Sequence, residues 1–410
     1  MQRLKTGSDA IVVGGGPCGS YAALKMAKRG LNVTVFEEHR QIGFPSHCAG
    51  HVSIRGLKNL GLLPLPDEIV ENTIHAASFY SPSGKRFSLR FRSPVTYVLN
   101  RTFFDKYLAE KAEAAGARFC LNAHVESLIV EEGFVKGVVV KQDSNSEKKT
   151  AGIVLDAEGV GSRILRQAGL ATLDRRMLVN GIEAEVENAQ DLELDAVEVY
   201  LGREYAPSFY AWLIPKKNGR AKVGLGAKTG NPRQLLQKLM TKHPAASKKL
   251  RNARILQSSF HPITLGGPLK RTYSNGFLAM GDVASQVKPT TGGGVVLGLT
   301  CANIAAEVAH EAFARNSVSA EFLSVYQTRW KKRVGFDAKV MLRMRKTLNR
   351  IPDKRIDEML RMCSRLRLEK TLQNVEEIDF QGQTLLKSLR SPRMLTALAY
   401  FFAVYLSANL

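Results

Sequence analysis

The sequence predicts an α/β chain (α+β overall): a Rossmann-type dinucleotide-binding domain, interrupted by an antiparallel-sheet domain and followed by a helical C-terminal region. Three observations predict it. An apolar run at Asp9–Val13 opens onto Gly14, Gly16 and Gly19 and then a helical stretch. Between about Met177 and Leu265, short alternating runs separated by turn residues replace that pattern. From Glu321 onward the chain reads as helical and basic. Its 410 residues are too many for one ordinary domain. A composition of 44% hydrophobic and 23% charged residues excludes a disordered, collagen-like or multi-span membrane chain.

The elements follow in order. Ser20–Arg29 reads as a helix, stopped by Gly30, and Leu31–Phe36 as the second strand of a βαβ opening. Residues 100–116 read as an amphipathic helix stopped by Gly116. Strands are expected at Arg118–Leu121, Glu126–Val130, Phe134–Lys141 and Ile153–Asp156, with Asp143–Lys149 as a polar hairpin tip. The antiparallel region holds Gly181–Val186, Ala196–Leu201, Phe209–Ile214 and Ala221–Ala227, joined by short runs within 69–99. Gly276–Met280 returns to a buried strand, and a long helix runs from about Val295 to Arg315.

The unusual number is the charge: 59 Lys+Arg against 37 Asp+Glu, a net +22. Such a balance points to nucleic acid, an anionic membrane, an acidic partner, or simply a solvated basic surface. Residues 331–370 alone hold 14 Lys/Arg against 5 Asp/Glu. By contrast, Met394–Leu410 carries no charge and includes Tyr400, Phe401, Phe402 and Tyr405. That stretch is short for a spanning helix, which needs about 20 residues. It reads as a buried terminal helix or as one lying on a membrane surface or partner. The five cysteines are scattered, odd in number and form no C-x-x-C pair, which argues against a zinc site or a disulfide framework. No signal peptide is readable at the N-terminus, so a cytoplasmic location is expected.

Gly14, Gly16 and Gly19 form G-x-G-x-x-G between a strand and a helix. The first permits the tight turn, the second lets a pyrophosphate approach the backbone, and the third lets helix and strand pack closely. Glu37 ends the second strand, 18 residues after Gly19, where a carboxylate can accept bonds from ribose hydroxyls. Far downstream a strand ends in Gly281-Asp282, followed by K-P-T-T-G-G-G at 288–294 and a helix. Asp282 can bind a ribityl hydroxyl, and the glycine loop can hold a pyrophosphate or a flavin edge through its N–H groups. A plain NAD dehydrogenase does not need this second half-site, so FAD is the expected cofactor.

With D-A-E-G-V-G-S-R at 156–163 between these two segments, the chain resembles the FAD-dependent group-two flavoproteins related to p-hydroxybenzoate hydroxylase. It departs from that group by Glu158, where Asp is usual. Within the group it is most similar to the geranylgeranyl reductases, on the archaeal branch that saturates digeranylgeranylglycerophospholipids. Three segments carry the likeness: G-F-P-S-H-C-A-G at 43–50, P-S-F-Y-A-W-L-I-P-K at 207–216, and P-T-T-G-G-G at 289–294. Ile214 stands where the family has Phe, which bears on pocket shape. The resemblance covers roughly residues 8–312.

It implies an FAD-binding domain from 1–65, 95–170 and 268–315, a substrate sheet from 66–94 and 171–267, and a helical region at 316–410. It also implies contacts to FAD from Cys48 and Ala49 through backbone, from Arg101 to the pyrophosphate, from Val125 beside the adenine, and from Gly294 and Val295 to the flavin ring. Arg101 has an alternative, an ion pair with Asp105 four residues on. Pro207, Tyr210, Trp212 and Pro215 fall in the substrate motif. Tyr210 and Trp212 lie two apart on an expected strand and so share a face, as pocket wall or as core. Cys48 is the candidate proton donor, or a small pocket-lining group, and the adjacent His47 a candidate relay. Cys18 is expected to pack under the first helix.

The activity implied is saturation of geranylgeranyl C=C bonds by hydride from reduced flavin, on a prenyl lipid. Rival readings are a chlorophyll-type or diphosphate-type prenyl reductase, an aromatic monooxygenase of the same fold, and a non-catalytic flavin- or nucleic-acid-binding protein. Nucleic acid is disfavoured, because the basic run lacks interleaved aromatics and no nucleic-acid module is readable. The electron donor stays open among ferredoxin, a deazaflavin and NAD(P)H. Residues 331–410 are expected to face an anionic membrane, placing the protein peripherally on the inner face of the cell membrane.

Overall fold

Strand Ser8–Val13 is apolar and almost wholly buried, as a central parallel strand covered on both faces must be. It pairs in parallel with Val33–Phe36 on one side and with Asn145–Asp156 on the other. In a computed structural model describing residues 7–161, 163–375 and 377–407, the chain adopts the mixed α/β architecture expected of it. Two units emerge: Met1–Ser46, Arg101–Met177 and Thr264–Ala338, and His47–Asn100, Leu178–Ile263 and Lys339–Leu410.

The first unit is the doubly wound one. Its sheet runs Tyr273–Ser274, Phe277–Ala279, Asn145–Asp156, Ser8–Val13, Val33–Phe36, Arg118–Cys120. Helices Pro17–Ala27, Arg101–Ala114 and Val295–Ala314 belong to the same unit. The first helix starts at Pro17, three residues before the sequence suggests, because proline at the first helical position gives up an N–H that has no partner there anyway. Strand Asn145–Asp156 is also longer than expected. Its first six residues pair with Gly137–Gln142 in an antiparallel hairpin, so the polar tip shrinks to the turn at Asp143. Those residues are exposed, and a strand with no buried face shows no alternation to read.

The second unit is built on an antiparallel sheet. Its strand order is Arg254–Thr264, Leu178–Glu187, Ala221–Ala227, Ala211–Pro215, Ala196–Tyr200, Ala76–Tyr80, Arg86–Arg90. One pair, Ala196–Tyr200 with Ala76–Tyr80, is parallel. A second sheet of His51–Ser53, Thr96–Leu99 and Val70–Ile74 takes up the remaining runs of 69–99. Helices Pro232–Lys242 and Ala246–Leu250 cover one face of the large sheet through Leu236, Leu239, Met240 and Leu250. On the other face Phe79 and Phe87 pack with Leu360, Leu368 and Ala397 of the C-terminal helices. Of the helical tail, Ala320–Trp330 lies in the first unit and everything from Lys339 in the second. The five cysteines are free thiols.

Candidate active site

In the first unit the glycine turn has the geometry its spacing implies. Gly14 has φ +95°, and a Cβ there would stand 2.6 Å from the Ala157 carbonyl oxygen. A Cβ on Gly19 would stand 1.9 Å from the Gly14 oxygen, so only glycine lets this helix reach the strand. Gly16 is different: a Cβ there would meet nothing within 4 Å, which leaves the loop open to a ligand. The first turn of helix Pro17–Ala27 has no side-chain cap, so its N–H groups and positive dipole end stay available.

Glu37 ends its strand nearly buried and holds the loop from below. Its Oε2 accepts the Gly15 N–H at 2.7 Å. Its Oε1 accepts the His39 N–H at 3.0 Å and lies 2.5 Å from the His39 ring nitrogen. A carboxylate has further lone pairs, so these bonds leave room for a ribose hydroxyl. Val125 is buried on strand Ala123–Glu131, whose first N–H bonds the Glu37 carbonyl at 2.9 Å.

The second half-site lies in the same unit. Gly294 precedes helix Val295–Ala314 and, like the first turn, has no side-chain cap. A Cβ on Gly294 would stand 2.6 Å from the Asp282 carboxylate, so the glycine makes room for that group. Burial pushes the Asp282 carboxyl up from its ordinary value, and the Arg101 charge opposes the shift. Arg101 forks onto Asp105 at 3.0 and 2.9 Å, and both are almost fully covered. The ion pair therefore forms, but as a covered pair rather than a surface one, and the Arg101 charge still reaches Asp282 and Cys18. Cys18 fills the contact between the two helices: Cβ atoms on Gly281 and Gly298 would approach its sulfur to 2.9 and 2.6 Å. Burial pushes its thiol up.

Glu158 has turned inward, accepting the Arg163 N–H at 2.5 Å and the Ile164 N–H at 3.3 Å. In that orientation it caps the turn that follows. Ser162 of the same motif lies outside the described residues. Two uncapped helix N-termini, open glycine backbone at Gly16 and a carboxylate at Glu37 form a donor and acceptor set that fits a dinucleotide.

The second unit holds the other expected residues. Cys48 is half-buried, and its Sγ accepts the Gly50 N–H at 3.5 Å. Gly50, at φ +72°, is pinned to strand Thr96–Leu99: a Cβ there would lie 2.1 Å from the Leu99 oxygen. His47 is exposed and stacks on His261, with ring centroids 5.4 Å apart and 7° between planes. Ala49 packs in one cluster with Ile74, Val98, Val197, Ile214 and Trp212. Its carbonyl accepts from Lys222 Nζ at 3.3 Å.

Strand Ala211–Pro215 starts one residue after Tyr210, yet Tyr210 and Trp212 still meet, rings 5.8 Å apart and edge-on. Phe209 joins them at 4.3 Å from Tyr210. The rings lie over glycines of the next strand: Cβ atoms on Gly224 and Gly226 would stand 2.5 Å from Trp212 and 2.6 Å from Phe209. Pro207 accepts the Lys228 N–H at 2.8 Å, and Pro215, buried, accepts from Asn72 at 2.9 Å, so both fix the segment's ends through their carbonyls. Burial pushes the Tyr210 phenol up to about 12, with Arg345 pulling it back. Arg345 is 4% exposed, its guanidinium 4.8 Å over the Phe209 ring, and burial lowers it to about 10. Motif reading does not find Phe209's partner Arg345 or the glycine floor. Only helix and sheet register bring them to the aromatic segment.

Residues 9–368 match the family model described as lycopene cyclase protein. A relative named digeranylgeranylglycerophospholipid reductase 2, from Methanothermobacter thermautotrophicus, is 38% identical over 361 residues, covering 86% of this chain and 91% of its own. A solved geranylgeranyl bacteriochlorophyll reductase-like protein from Thermoplasma acidophilum superposes with TM-score 0.86 and 27% identity, covering 96% of this chain and 99% of its own. The flavin-dependent brominase Bmp2 superposes with TM-score 0.67 at 19% identity over 86% of this chain and 92% of its own, a likeness of fold.

Proposed function

The chain belongs to the digeranylgeranylglycerophospholipid reductase family, and from that premise we propose that it is an FAD-dependent prenyl reductase. It saturates C=C bonds of geranylgeranyl chains on archaeal-type prenyl ether phospholipids. The observation that carries this reading is a division of labour: a glycine cradle in one unit, and an apolar aromatic row over a glycine floor in the other. We take the first unit as the FAD-binding unit and the second as the substrate unit.

Gly14, Gly16 and Gly19 with the first turn of helix Pro17–Ala27 hold the pyrophosphate, aided by the charge of Arg101. Glu37 holds the adenosine ribose, with the Val125 backbone beside the adenine. Asp282 binds ribityl or phosphate groups, and the N–H groups of Gly294 and Val295 meet the flavin ring. When bound and reduced, FAD supplies the hydride. Tyr210 and Trp212, with Pro207 and Pro215 fixing the ends of their segment, hold a long apolar chain and exclude water from it. Their π faces stabilise positive charge that develops on the alkene. Cys48 lines the slot as a small group, and His47, exposed, links that end to solvent protons.

The outward side of terminal helix Pro392–Ser407 meets the anionic inner surface of the cell membrane. One side of this helix packs through Met394, Ala397 and Val404. The other exposes Leu395 (52%) and Phe402 (62%), and Lys387, Arg390 and Arg393 are close by in sequence. Apolar wedge and basic flank together fit a lipid surface. No helix among the described residues is long and apolar enough to cross a membrane. The reductant is an acidic ferredoxin, a deazaflavin or NAD(P)H.

The test is direct. Purified protein is expected to be yellow, to bleach with dithionite, and then to add two hydrogens per C=C bond to geranylgeranyl phospholipid, read by mass. Bound flavin with no saturation of any prenyl lipid overturns the reading.

A further inference from the structure

In the second unit one lysine stands where the two sheets meet. Lys222 lies on strand Ala221–Ala227, two residues before Gly224, and Gly224 is directly opposite Trp212. Lys222 therefore projects to the face that carries the Trp212 ring. It is 8% exposed. Its ammonium reaches toward all three strands of the small sheet. It lies 3.2 Å from Glu71 Oε2 on Val70–Ile74. It donates to the Leu99 carbonyl at 3.4 Å, at the end of Thr96–Leu99. It also donates to the Ala49 carbonyl at 3.3 Å, two residues ahead of His51–Ser53.

These contacts are not equivalent. Glu71 Oε2 is closed to solvent and accepts no hydrogen bond among the described residues, so Lys222 meets it as a charge pair only. The hydrogen bonds of the ammonium go to the two carbonyls. Glu71 pairs in turn with Lys216 at 2.9 Å, and Lys216 with Glu185 at 2.9 Å. Burial disfavours the Lys216 ammonium, yet its hydrogen bonds to both carboxylates hold it above its ordinary value. Covered ion pairs of this kind are often replaceable by apolar side chains at no loss of stability. An apolar side chain could not satisfy the Ala49 carbonyl, which among the described residues takes its hydrogen bond from Lys222 and from no backbone N–H. The residues on either side are held differently. The Gly50 carbonyl accepts the Leu99 N–H at 2.8 Å, and the Cys48 sulfur accepts the Gly50 N–H at 3.5 Å.

We propose that Lys222 is a positioning residue: its ammonium pins the Cys48–Ala49–Gly50 segment to the aromatic face and so sets where the Cys48 side chain stands. Without it the Ala49 carbonyl loses its donor in a covered place. The peptide then turns toward water, and the adjoining Cys48 turns with it. The consequence for turnover rests on the prenyl-reductase reading; the tether itself does not.

The test uses the FAD-loaded full chain as wild type, Lys222→Met, Lys222→Arg and Glu71→Gln. Alkylation of Cys48 by iodoacetamide is followed by peptide mass. Cys363, packed among the C-terminal helices of the same unit, reports general loosening. Lys222→Met is expected to speed Cys48 alkylation about tenfold, the worth of one hydrogen bond from a charged donor, and to leave Cys363 unchanged. Lys222→Arg keeps charge and donors and should restore most of the wild-type rate. Glu71→Gln removes the charge pair, keeps both carbonyl bonds, and should alkylate as wild type does. With dithionite and geranylgeranyl phospholipid in micelles, Lys222→Met is expected to lower kcat about tenfold or more with KM little changed. If Lys222→Met does not fold, Lys222→Met combined with Glu71→Gln, which leaves no unpaired carboxylate at Glu71, takes its place. An unchanged Cys48 rate, a parallel rise at Cys363, or wild-type kcat in the methionine variant overturns the proposal and leaves the reductase reading standing. A wild-type protein that bleaches and saturates nothing overturns that reading, and the alkylation rates still decide the tether.

Discussion

At residue scale, Gly19 shows how little freedom the cradle has. No rotamer relieves a Cβ set 1.9 Å from a backbone oxygen, so Gly19→Ala must push the helix off its strand. The variant is expected to purify colourless, and flavin release on denaturation measures it. Asp156 makes a second case. It is buried at the end of the central strand pairing, its Oδ1 accepts the Glu158 N–H at 3.1 Å, and its Oδ2 has no hydrogen-bond partner among the described residues. Burial first, and then the nearby Glu158 charge, push its carboxyl well above the usual carboxylate range. The folded chain therefore keeps a proton that the unfolded chain releases. Stability from this group is fully present below the unfolded value of about 4 and is lost as pH rises above it. Asp156→Asn is expected to raise Tm at pH 7 by roughly 2 °C or more and to change it little near pH 4, as thermal melts at the two pH values would show.

At element scale, the terminal helix carries its own prediction. Leu395→Glu with Phe402→Glu leaves the packed side of Met394, Ala397 and Val404 untouched. The pair is expected to weaken binding to anionic vesicles severalfold without lowering Tm, as flotation and melting would show. Elements also mark the limit of what could be read from the residues alone. The cradle was legible because its chemistry is local: three glycines, a strand before them and a carboxylate after the next strand. The aromatic segment was legible as a motif, although Tyr210 sits just outside its strand. Arg345 was not, since nothing in the basic run 331–370 distinguishes one arginine from its neighbours until a helix lays it over Phe209. Gly224 and Gly226 read as ordinary strand interior, and their meaning appears only when the adjoining strand supplies Trp212 and Phe209. The arm at 145–150 reads as hairpin tip rather than strand because both its faces meet solvent.

At the scale of the whole molecule, the net charge of +22 acquires a direction. Nucleic acid was the simplest partner for so basic a chain; on the proposed function an anionic lipid surface or an acidic electron carrier takes its place. Both attractions are screened, with a Debye length falling from about 10 Å at 0.1 M salt to about 3 Å at 1 M. Vesicle binding and turnover with an acidic ferredoxin are expected to fall across that range. Turnover with dithionite on micellar substrate should change far less, and parallel assays separate the two.

Each unit is also assembled from three separate stretches of chain, with the last return to the first unit ending at Ala338. On a ribosome, neither unit can close until most of the polypeptide has emerged. The nascent chain must carry Ser8–Val13 and Val33–Phe36 without the Phe277–Ala279 strand of the same sheet until more than two hundred further residues have been made. Sequence-distant pairing of this kind slows folding and prolongs exposure of apolar strands. Chaperone demand during synthesis, and the inability of any fragment that ends before Thr264 to complete either unit, are what the order in which the chain visits its two units predicts.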